Sequence, residues 1–281
     1  MPALPIPVPM IQSGRMPDDV RAWRTEQDAM MRGERSPLAA ERIVALEAAR
    51  ITIGSGAEVR VRLEGAGLPA LAGEFVVQDG KVILKATDAA LTVNGAFVAE
   101  RALAPTDRLA FGPYRLQLRR PGGVPTLRVS NLARPEMKGF HGLKYFPYDG
   151  RFRVAATFRP STEAKEVTVE ATRGGPQTLR LAGLLTFTLL GKVRALEAYV
   201  DGDEPDSLFV LFRDRTSGKE TYPVGRYLYV PRGQDGKTTI DFNKAHNPLC
   251  AYGPLFFCPI PPKQNHLDVR IPVGEKVYAS H

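Results

Sequence analysis

The stretch GEFVVQDGKVIL, residues 73–84, predicts a β-hairpin and indicates the fold class. Two short runs rich in valine, isoleucine, leucine and phenylalanine flank Asp79-Gly80, and an Asp-Gly pair between such runs is a strong signal for a two-residue hairpin turn. Similar runs lie on both sides, and a second turn pair, Asn94-Gly95, follows Leu91–Val93. This regular alternation of strands and turns over residues 51–120 predicts a β-sandwich.

One helix is predicted before the sandwich, from about Pro17 to Gly33. Proline suits the first helical position, Asp18 and Asp19 suit the positive helix start, and glycine suits the exit. Residues 1–10 contain four prolines and no basic residue, which is unlike a signal peptide. We expect residues 1–10 to form an extended arm.

Pro121-Gly122-Gly123 predicts a domain boundary, because glycine and proline interrupt regular structure. Further short runs rich in threonine, valine, leucine and phenylalanine follow it. We therefore expect three parts: an arm and helix over residues 1–50, a sandwich over residues 51–120, and a β-rich domain over residues 124–281. The predicted fold class is mostly β, with one N-terminal helix.

Bulk composition excludes several functional classes. The chain is 43% hydrophobic and 24% charged, as expected of a globular protein. No apolar run approaches the roughly 18 to 20 residues of a membrane span. The net charge is +8, but the arginines are scattered and several alternate with apolar residues, which indicates solvent faces of strands. We expect a cytoplasmic protein without a membrane or nucleic-acid partner.

The predicted sandwich resembles a degenerate forkhead-associated domain in the order Ile53-Gly54-Ser55, Gly73-Glu74-Phe75, Val93-Asn94-Gly95 and Phe111-Gly112. Domains of that family hold phosphothreonine with an arginine after the first glycine, a serine and a histidine in the next loop, and an asparagine before glycine. Here only Asn94 matches, because serine stands at the arginine position. The resemblance therefore implies a forkhead-associated-like fold without phosphopeptide binding.

The second half resembles the bacterial family called domain of unknown function 1684. The resemblance lies in Phe212–Gly218, Gly225–Leu228, Asp241–Ala245, Asn247–Tyr252 and Cys258–Pro262. The family name implies no assigned activity.

The segment over residues 36–50 has two interpretations. The resemblance implies a strand at Ile43–Leu46, whereas Ser36-Pro37 and the alanine- and glutamate-rich sequence after it predict a capped helix. The sequence leaves both open.

A set of polar residues among apolar strand residues is the predicted ligand-binding site. The set is Arg226, Asp241, Asn243, Asn247, Asp214 and Tyr222. If buried, such residues must find hydrogen-bond partners. They form either a structural network, with Asp214 or Asp241 accepting from Arg226, or a pocket in which Arg226 binds an anion.

The predicted function is ligand binding or interaction through a polar pocket in the C-terminal β-domain, with a small-molecule or anionic ligand. The alternative is a hydrolase using Asp241 or Glu275 as general base. The catalytic residues of such an enzyme are unknown, and the oligomeric state is left open.

Two cysteines, Cys250 and Cys258, have three interpretations: buried free thiols, a disulfide, or zinc ligands together with His246 and His266. A reducing cytoplasm disfavours the disulfide, and the spacing lacks a Cys-x2-Cys knuckle. No phosphate-binding glycine loop and no Gly-x-Ser-x-Gly motif is present. We expect free thiols, no metal and no cofactor.

Overall fold

The computed structural model describes residues 15–47, 50–120, 123–163, 165–202, 204 and 206–278. The chain divides into two compact units. The C-terminal unit comprises Met1–Asp28 and Gly142–Ala279, and the sandwich unit comprises Ala29–His141 with Ser280–His281. The predicted arm over residues 1–10 lies outside the described residues, as do Pro121 and Gly122 of the predicted boundary.

Helix α1 spans Asp18–Arg32, as the capping pattern predicts. The amide of Arg21 donates to the Pro17 carbonyl, which begins the helical hydrogen bonding. Val20 and Met31 are fully buried. A second helix, α2 (Pro135–Lys138), is a single turn. Neither helix has the length and apolarity needed to cross a bilayer, and the described part of the chain contains no other candidate.

The sandwich unit contains a six-stranded and a five-stranded sheet. Its strands are β1 (Ala40–Ala45), β2 (Arg50–Gly54), β3 (Val61–Arg62), β4 (Gly73–Gln78), β5 (Lys81–Ala86), β6 (Leu91–Val93), β7 (Ala96–Phe97), β8 (Glu100–Ala102), β9 (Leu109–Phe111), β10 (Tyr114–Arg119) and β11 (Thr126–Asn131). The strand orders are β1-β11-β10-β9-β6-β7 and β3-β2-β4-β5-β8. The predicted fold class is confirmed, with the sandwich as its first part and one long helix before it.

The predicted hairpin is formed by β4 and β5, which pair antiparallel from Gly73↔Ala86 to Gln78↔Lys81. Its turn residues Asp79 and Gly80 have φ values of +49° and +70°. Positive φ at both central positions is the geometry that Asp-Gly favours in a two-residue turn.

Strand β1 decides the question that the sequence left open over residues 36–50. It pairs antiparallel with β11, and β11 also pairs with β10. Leu127 and Val129 of β11 are fully buried, so this strand belongs to the core of the sandwich unit. The unit therefore continues past residue 120, and the Pro-Gly-Gly stretch lies in sequence between two paired strands.

The C-terminal unit is built on a seven-stranded arrangement. Its strands are β12 (Arg153–Pro160), β13 (Glu166–Val169), β14 (Gln177–Leu189), β15 (Lys192–Tyr199), β16 (Ser207–Phe212), β17 (Arg226–Pro231) and β18 (Lys237–Asp241). The order is β17-β16-β15-β14-β12-β18, and β13 pairs with β14. Strand β14 is continuous over 13 residues, with a register shift against β15 between Leu181 and Gly183.

One buried side chain from each of five strands forms the centre of this unit: Leu185, Leu196, Val210, Leu228 and Ile240. Beyond β18 the backbone is irregular, with short 3-10 helices at Phe242–Lys244, Leu249–Ala251 and Lys263–Asn265. Buried irregular backbone needs hydrogen-bond partners other than a strand neighbour. The polar side chains described next supply them.

Candidate functional site

Arg226 is the first residue of β17, and its side chain is 0% exposed. Gly225 precedes it with φ +123°, and a Cβ at that position would lie 2.5 Å from the Phe212 carbonyl oxygen. Only glycine allows this approach of the two strands. The backbone thus turns the guanidinium inward rather than to solvent.

The guanidinium of Arg226 is held by one carboxylate and two carbonyls. Its Nη2 donates to Asp214 Oδ1 at 3.1 Å and to the Ile271 carbonyl at 2.9 Å, and its Nη1 donates to the Val273 carbonyl. Burial lowers the pKa of Arg226, and the Asp214 charge opposes that shift. Of the two carboxylates that the sequence offered to Arg226, the structure pairs it with Asp214.

Asp214 is saturated by further donors. Thr216 Oγ1 donates to it at 2.8 Å, and the Ile271 amide donates to Oδ2 at 2.8 Å. Thr221 lies 2.9 Å from Thr216, hydroxyl to hydroxyl. We call Arg226, Asp214, Thr216 and Thr221 the arginine cluster. Its polar groups face one another and the backbone.

Asp241 and Asn243 form a second group at the end of β18. Asp241 Oδ1 accepts from the Asn243 amide at 3.0 Å and from its Nδ2 at 2.9 Å, which caps the 3-10 helix. Asn243 also exchanges hydrogen bonds of 3.0 Å with the Asp149 backbone in both directions. Asn243 is therefore a bridge between two segments of the C-terminal unit.

The outer oxygen of Asp241 belongs to an ion-pair group with helix α1. Oδ2 lies 3.6 Å from Arg153 Nη1, which donates to Asp19 at 3.1 Å. Lys244 Nζ also donates to Asp19, at 3.0 Å. Two cations thus tie the first turn of α1 to the rest of the unit.

Glu275 and Asn247 form a third group, the glutamate cluster, together with Tyr252. Glu275 accepts from the Asn247 amide at 2.9 Å, from Asn247 Nδ2 at 2.8 Å and from the Tyr252 hydroxyl at 2.5 Å. The side chain is 1% exposed, and burial raises the pKa of Glu275 to about 7, although these hydrogen bonds oppose the shift. Among the described residues, no cation forms an ion pair with this carboxyl.

The six predicted residues therefore fall into different groups. Arg226 meets Asp214, Asp241 meets Asn243, and Asn247 meets Glu275. Within the described ranges, no hydrogen bond or ion pair joins Arg226 to the Asp241 group or to Asn247. The role of these residues in ligand binding stays a prediction.

Tyr222, the sixth residue of the set, lines a cavity of about 360 Å³. Its walls are Ala171, Thr172, Arg173, Tyr222, Val224, Cys250, Gly253, Pro254, Phe256 and Ile260. The Tyr222 hydroxyl donates to the Cys250 carbonyl at 3.2 Å. Sequence reasoning missed Thr172 and Arg173; the available signal was a basic residue directly before Gly174-Gly175.

The two cysteines are free and lie side by side. The Cys250 amide donates to Cys258 Sγ at 3.3 Å, and the Cys258 amide donates to Thr172 Oγ1 at 3.1 Å. Cys258 is 6% exposed, whereas Cys250 is partly exposed at the cavity wall.

The histidines of the zinc alternative lie elsewhere. His246 stacks on Tyr229 with ring centroids 5.8 Å apart, and burial lowers the pKa of His246 to about 4. His266 Nε2 lies 3.0 Å from the Pro261 carbonyl. Among the residues that the structure describes, no three His, Cys, Asp or Glu side chains are grouped to hold a metal ion.

In the sandwich unit, the side chain of Asn94 forms hydrogen bonds with other residues of the unit. Its Nδ2 donates to Asp107 Oδ1 at 2.8 Å, and its Oδ1 accepts from the Arg108 amide at 2.9 Å. Asp107 is also paired with Arg101 at 2.8 Å. Ser55 donates to the Leu68 carbonyl at 2.8 Å. The side chains of Asn94 and Ser55 thus form hydrogen bonds that hold the loops of the sandwich unit.

A second cavity, of about 630 Å³, lies within the sandwich unit and is lined partly by arginines. Arg115 Nε donates to Glu34 at 2.7 Å. Arg128 Nη2 donates to the Arg35 and Ser36 carbonyls at 3.0 and 2.8 Å. The guanidinium groups of Arg115 and Arg128 are therefore already hydrogen-bonded to other residues of the sandwich unit.

Comparison with known proteins gave the following similarities. Residues 138–276 match the model of a family described as protein of unknown function (DUF1684). No curated protein matched the chain. An uncharacterized protein of Haloarcula marismortui, solved by NMR, is 36% identical with a TM-score of 0.44, covering 53% of this chain and 83% of that one.

Two forkhead-associated domains are also similar. The FhaA domain, in complex with the intracellular domain of Rv3910, is 23% identical with a TM-score of 0.24, covering 31% of this chain and 87% of that one. A domain from a study of phosphothreonine-dependent interactions is 19% identical with a TM-score of 0.22, covering 31% and 92%.

Proposed function

The chain belongs to the family of proteins of unknown function DUF1684, and we propose that its C-terminal unit binds a small anionic molecule in the cavity beside Tyr222. One observation carries this proposal. The cavity combines a guanidinium and two hydroxyls with an apolar wall, which is the composition typical of ligand pockets. Its volume of about 360 Å³ suits a small molecule.

Arg173 supplies the positive charge. It is exposed, and its Nη1 donates to the Pro254 carbonyl at 3.1 Å, which directs the guanidinium towards the cavity. A guanidinium has five N–H donors, so this bond leaves others for an anion. Burial raises the pKa of Tyr222 to about 12, and the Arg173 charge opposes that shift, so the positive field reaches the hydroxyl.

The apolar wall sets the second property of the ligand. Val224, Phe256 and Ile260 line the cavity together with Pro254. Burial of apolar ligand surface against them adds roughly 25 cal/mol per Å². We therefore expect an anion that carries an apolar group, rather than an inorganic ion, to bind best.

The arginine cluster and the glutamate cluster act in this proposal as positioning groups. Asn247 and Glu275 fix the start of the segment that leads to Cys250, and Arg226 fixes β17 next to the segment that carries Tyr222 and Val224. Such groups are costly to leave unpaired, so they hold the loops in one arrangement.

The hydrolase alternative has less support. A general base must lie within hydrogen-bond reach of the substrate proton. Glu275 is 1% exposed, with its oxygens engaged by Asn247 and Tyr252, and Asp241 is engaged by Asn243. Neither carboxyl is available to a substrate in this arrangement.

A titration followed by amide NMR tests the proposal. The probes are benzoate, phenyl phosphate, acetate and inorganic phosphate. We expect saturable shifts at Tyr222, Gly253 and neighbouring amides with the two aromatic anions, and binding at least 10-fold weaker in Arg173→Gln. Exposed Arg159→Gln on β12 is the matched control and should bind as the wild type does.

Three outcomes contradict the proposal. They are no saturable shift with any probe, equal binding by Arg173→Gln and the wild type, and shifts confined to the sandwich unit.

A further inference from the structure

Cys250 and Cys258 form a thiol pair that anion binding does not require. Cys250 is partly exposed and lines the cavity, and Cys258 lies behind it at 6% exposure. The Cys250 amide donates to Cys258 Sγ at 3.3 Å, so the two residues are in direct contact. One sulfur is thus open to a reagent, and the other contacts it from the protein side.

We propose that Cys250 and Cys258 are a reactive dithiol in which Cys250 attacks a small-molecule disulfide and Cys258 resolves the mixed disulfide. Accessibility assigns the order, because an external disulfide reaches Cys250 through the cavity and does not reach buried Cys258. The inference goes beyond anion binding and does not depend on it.

The surroundings of Cys250 favour its thiolate, which is the nucleophilic form. The neighbouring side chains of Cys258, Tyr222 and Thr172 lower the pKa of Cys250 against the opposing effect of burial. The neighbouring Cys250 side chain and burial together raise the pKa of Cys258, although the hydrogen bond from the Cys250 amide opposes the shift. The two sulfurs therefore differ in protonation as well as in access.

The reaction has two exchange steps. The Cys250 thiolate attacks one sulfur of R–S–S–R, the S–S bond breaks, and the departing thiolate takes up a proton as RSH. Cys258 then loses its proton and attacks Sγ of Cys250, which releases the second RSH. The dithiol is oxidised to a Cys250–Cys258 disulfide, and the external disulfide is reduced to two thiols.

The chain geometry is compatible with this product. Seven residues separate the cysteines, among them Gly253 and Pro254, and the loop returns so that the Cys250 amide already donates to Cys258 Sγ. The two sulfurs must approach to about 2.05 Å to bond.

Mass spectrometry with bis(2-hydroxyethyl) disulfide tests the inference. In Cys258→Ala we expect a stable adduct at Cys250, and in Cys250→Ala a reaction at least 10-fold slower. The wild type should pass to an internal disulfide, which peptide mapping identifies directly without any variant. Tyr222→Phe should slow the adduct, whereas the Tyr148→Phe control should not.

Other outcomes overturn the inference. They are equal reaction of the two alanine variants, reaction only after addition of urea, and accumulation of adduct without an internal disulfide in the wild type. Because the probe is uncharged, loss of anion binding leaves this result unchanged, and the two proposals fail separately.

Discussion

The arginine cluster and the glutamate cluster lie in the same unit, but they differ in whether the buried charged group has a partner of opposite charge. Arg226 is paired with Asp214, so the charges of both partners are compensated. Glu275 receives hydrogen bonds from an amide, a carboxamide and a phenol, none of which carries a charge. An ionised group without a charged partner is costly to bury, so burial raises the pKa of Glu275 to about 7.

The comparison shows that burial alone does not decide whether a polar residue titrates. Both side chains are almost fully buried, and the difference lies in the partner. In the arginine cluster, the Asp214 charge opposes the lowering of the Arg226 pKa by burial. In the glutamate cluster, Glu275 is expected to change its charge near pH 7.

Removing Arg226 should have the largest effect. We expect Arg226→Met to lower the free energy of unfolding by about 3 to 5 kcal/mol, because Asp214 would be left as an uncompensated buried charge. Urea unfolding measures this. The double variant Arg226→Met/Asp214→Asn should recover part of the loss, and exposed Arg159→Met should stay within about 0.5 kcal/mol of the wild type. A single variant as stable as the wild type would show that the pair is not structural.

The titration of Glu275 should appear as a pH dependence of the free energy of unfolding. Its folded pKa of about 7 lies above its ordinary value of 4.5, so between these values the folded protein binds more protons than the unfolded chain. Stability from this group is therefore complete below pH 4.5 and is lost as pH rises to 7, by about 1.4 kcal/mol per pH unit.

Glu275→Gln should remove this part of the pH dependence, a difference of about 3 kcal/mol over the interval. Urea unfolding at several pH values measures it, with the exposed Glu163→Gln as the matched control. Parallel pH profiles for wild type and Glu275→Gln would mean that Glu275 does not titrate in this range.

Asn243→Ala should have a smaller effect. Asn243 is fully buried and bridges Asp241 and the Asp149 backbone, so its removal leaves polar groups unpaired. The expected loss is about 1 to 3 kcal/mol by thermal or urea unfolding. Exposed Gln234→Ala serves as the control. An unchanged melting temperature would instead favour a role for Asn243 in binding.

The smallest effect is expected in the sandwich unit. Asn94 already bonds to Asp107 and to the Arg108 amide, so phosphothreonine peptides should show no saturable binding by calorimetry. Asn94→Ala should leave that null result unchanged and cost about 1 kcal/mol of stability. A micromolar affinity that Asn94→Ala abolishes would contradict the loss of this site.

Local signals in the sequence were sufficient for most of the fold. The capping residues predicted α1, and Asp79-Gly80 predicted the hairpin of β4 and β5, because each signal acts within a few residues. Strand β11 was missed and β1 was left undecided. Each depends on the other across about 85 residues, and no local pattern contains that pairing.

The predicted site also combines features that local sequence signals reveal with features that depend on distant contacts. Five of the six polar residues that the sequence singled out are buried, but the sequence did not assign their partners. Asp214 and Asp241 were equal candidates for Arg226 until the strands placed Asp214 beside it. Arg173 was missed, because an arginine in a glycine-rich turn gives no sign of the loop that it faces.

The ion pairs between α1 and the C-terminal unit have a consequence for synthesis on the ribosome. Asp19 is made before its partner Lys244, which is 225 residues further along the chain. At roughly 5 to 20 residues per second, that interval is roughly 10 to 45 s. The first turn of the helix must wait that long for the second of its two cations, and the edge of β12 must wait for β18, whose paired residues follow it by 80 (157 to 237) to 88 (153 to 241) positions. Newly made chains therefore expose this helix and strand edge to chaperones before the unit can close.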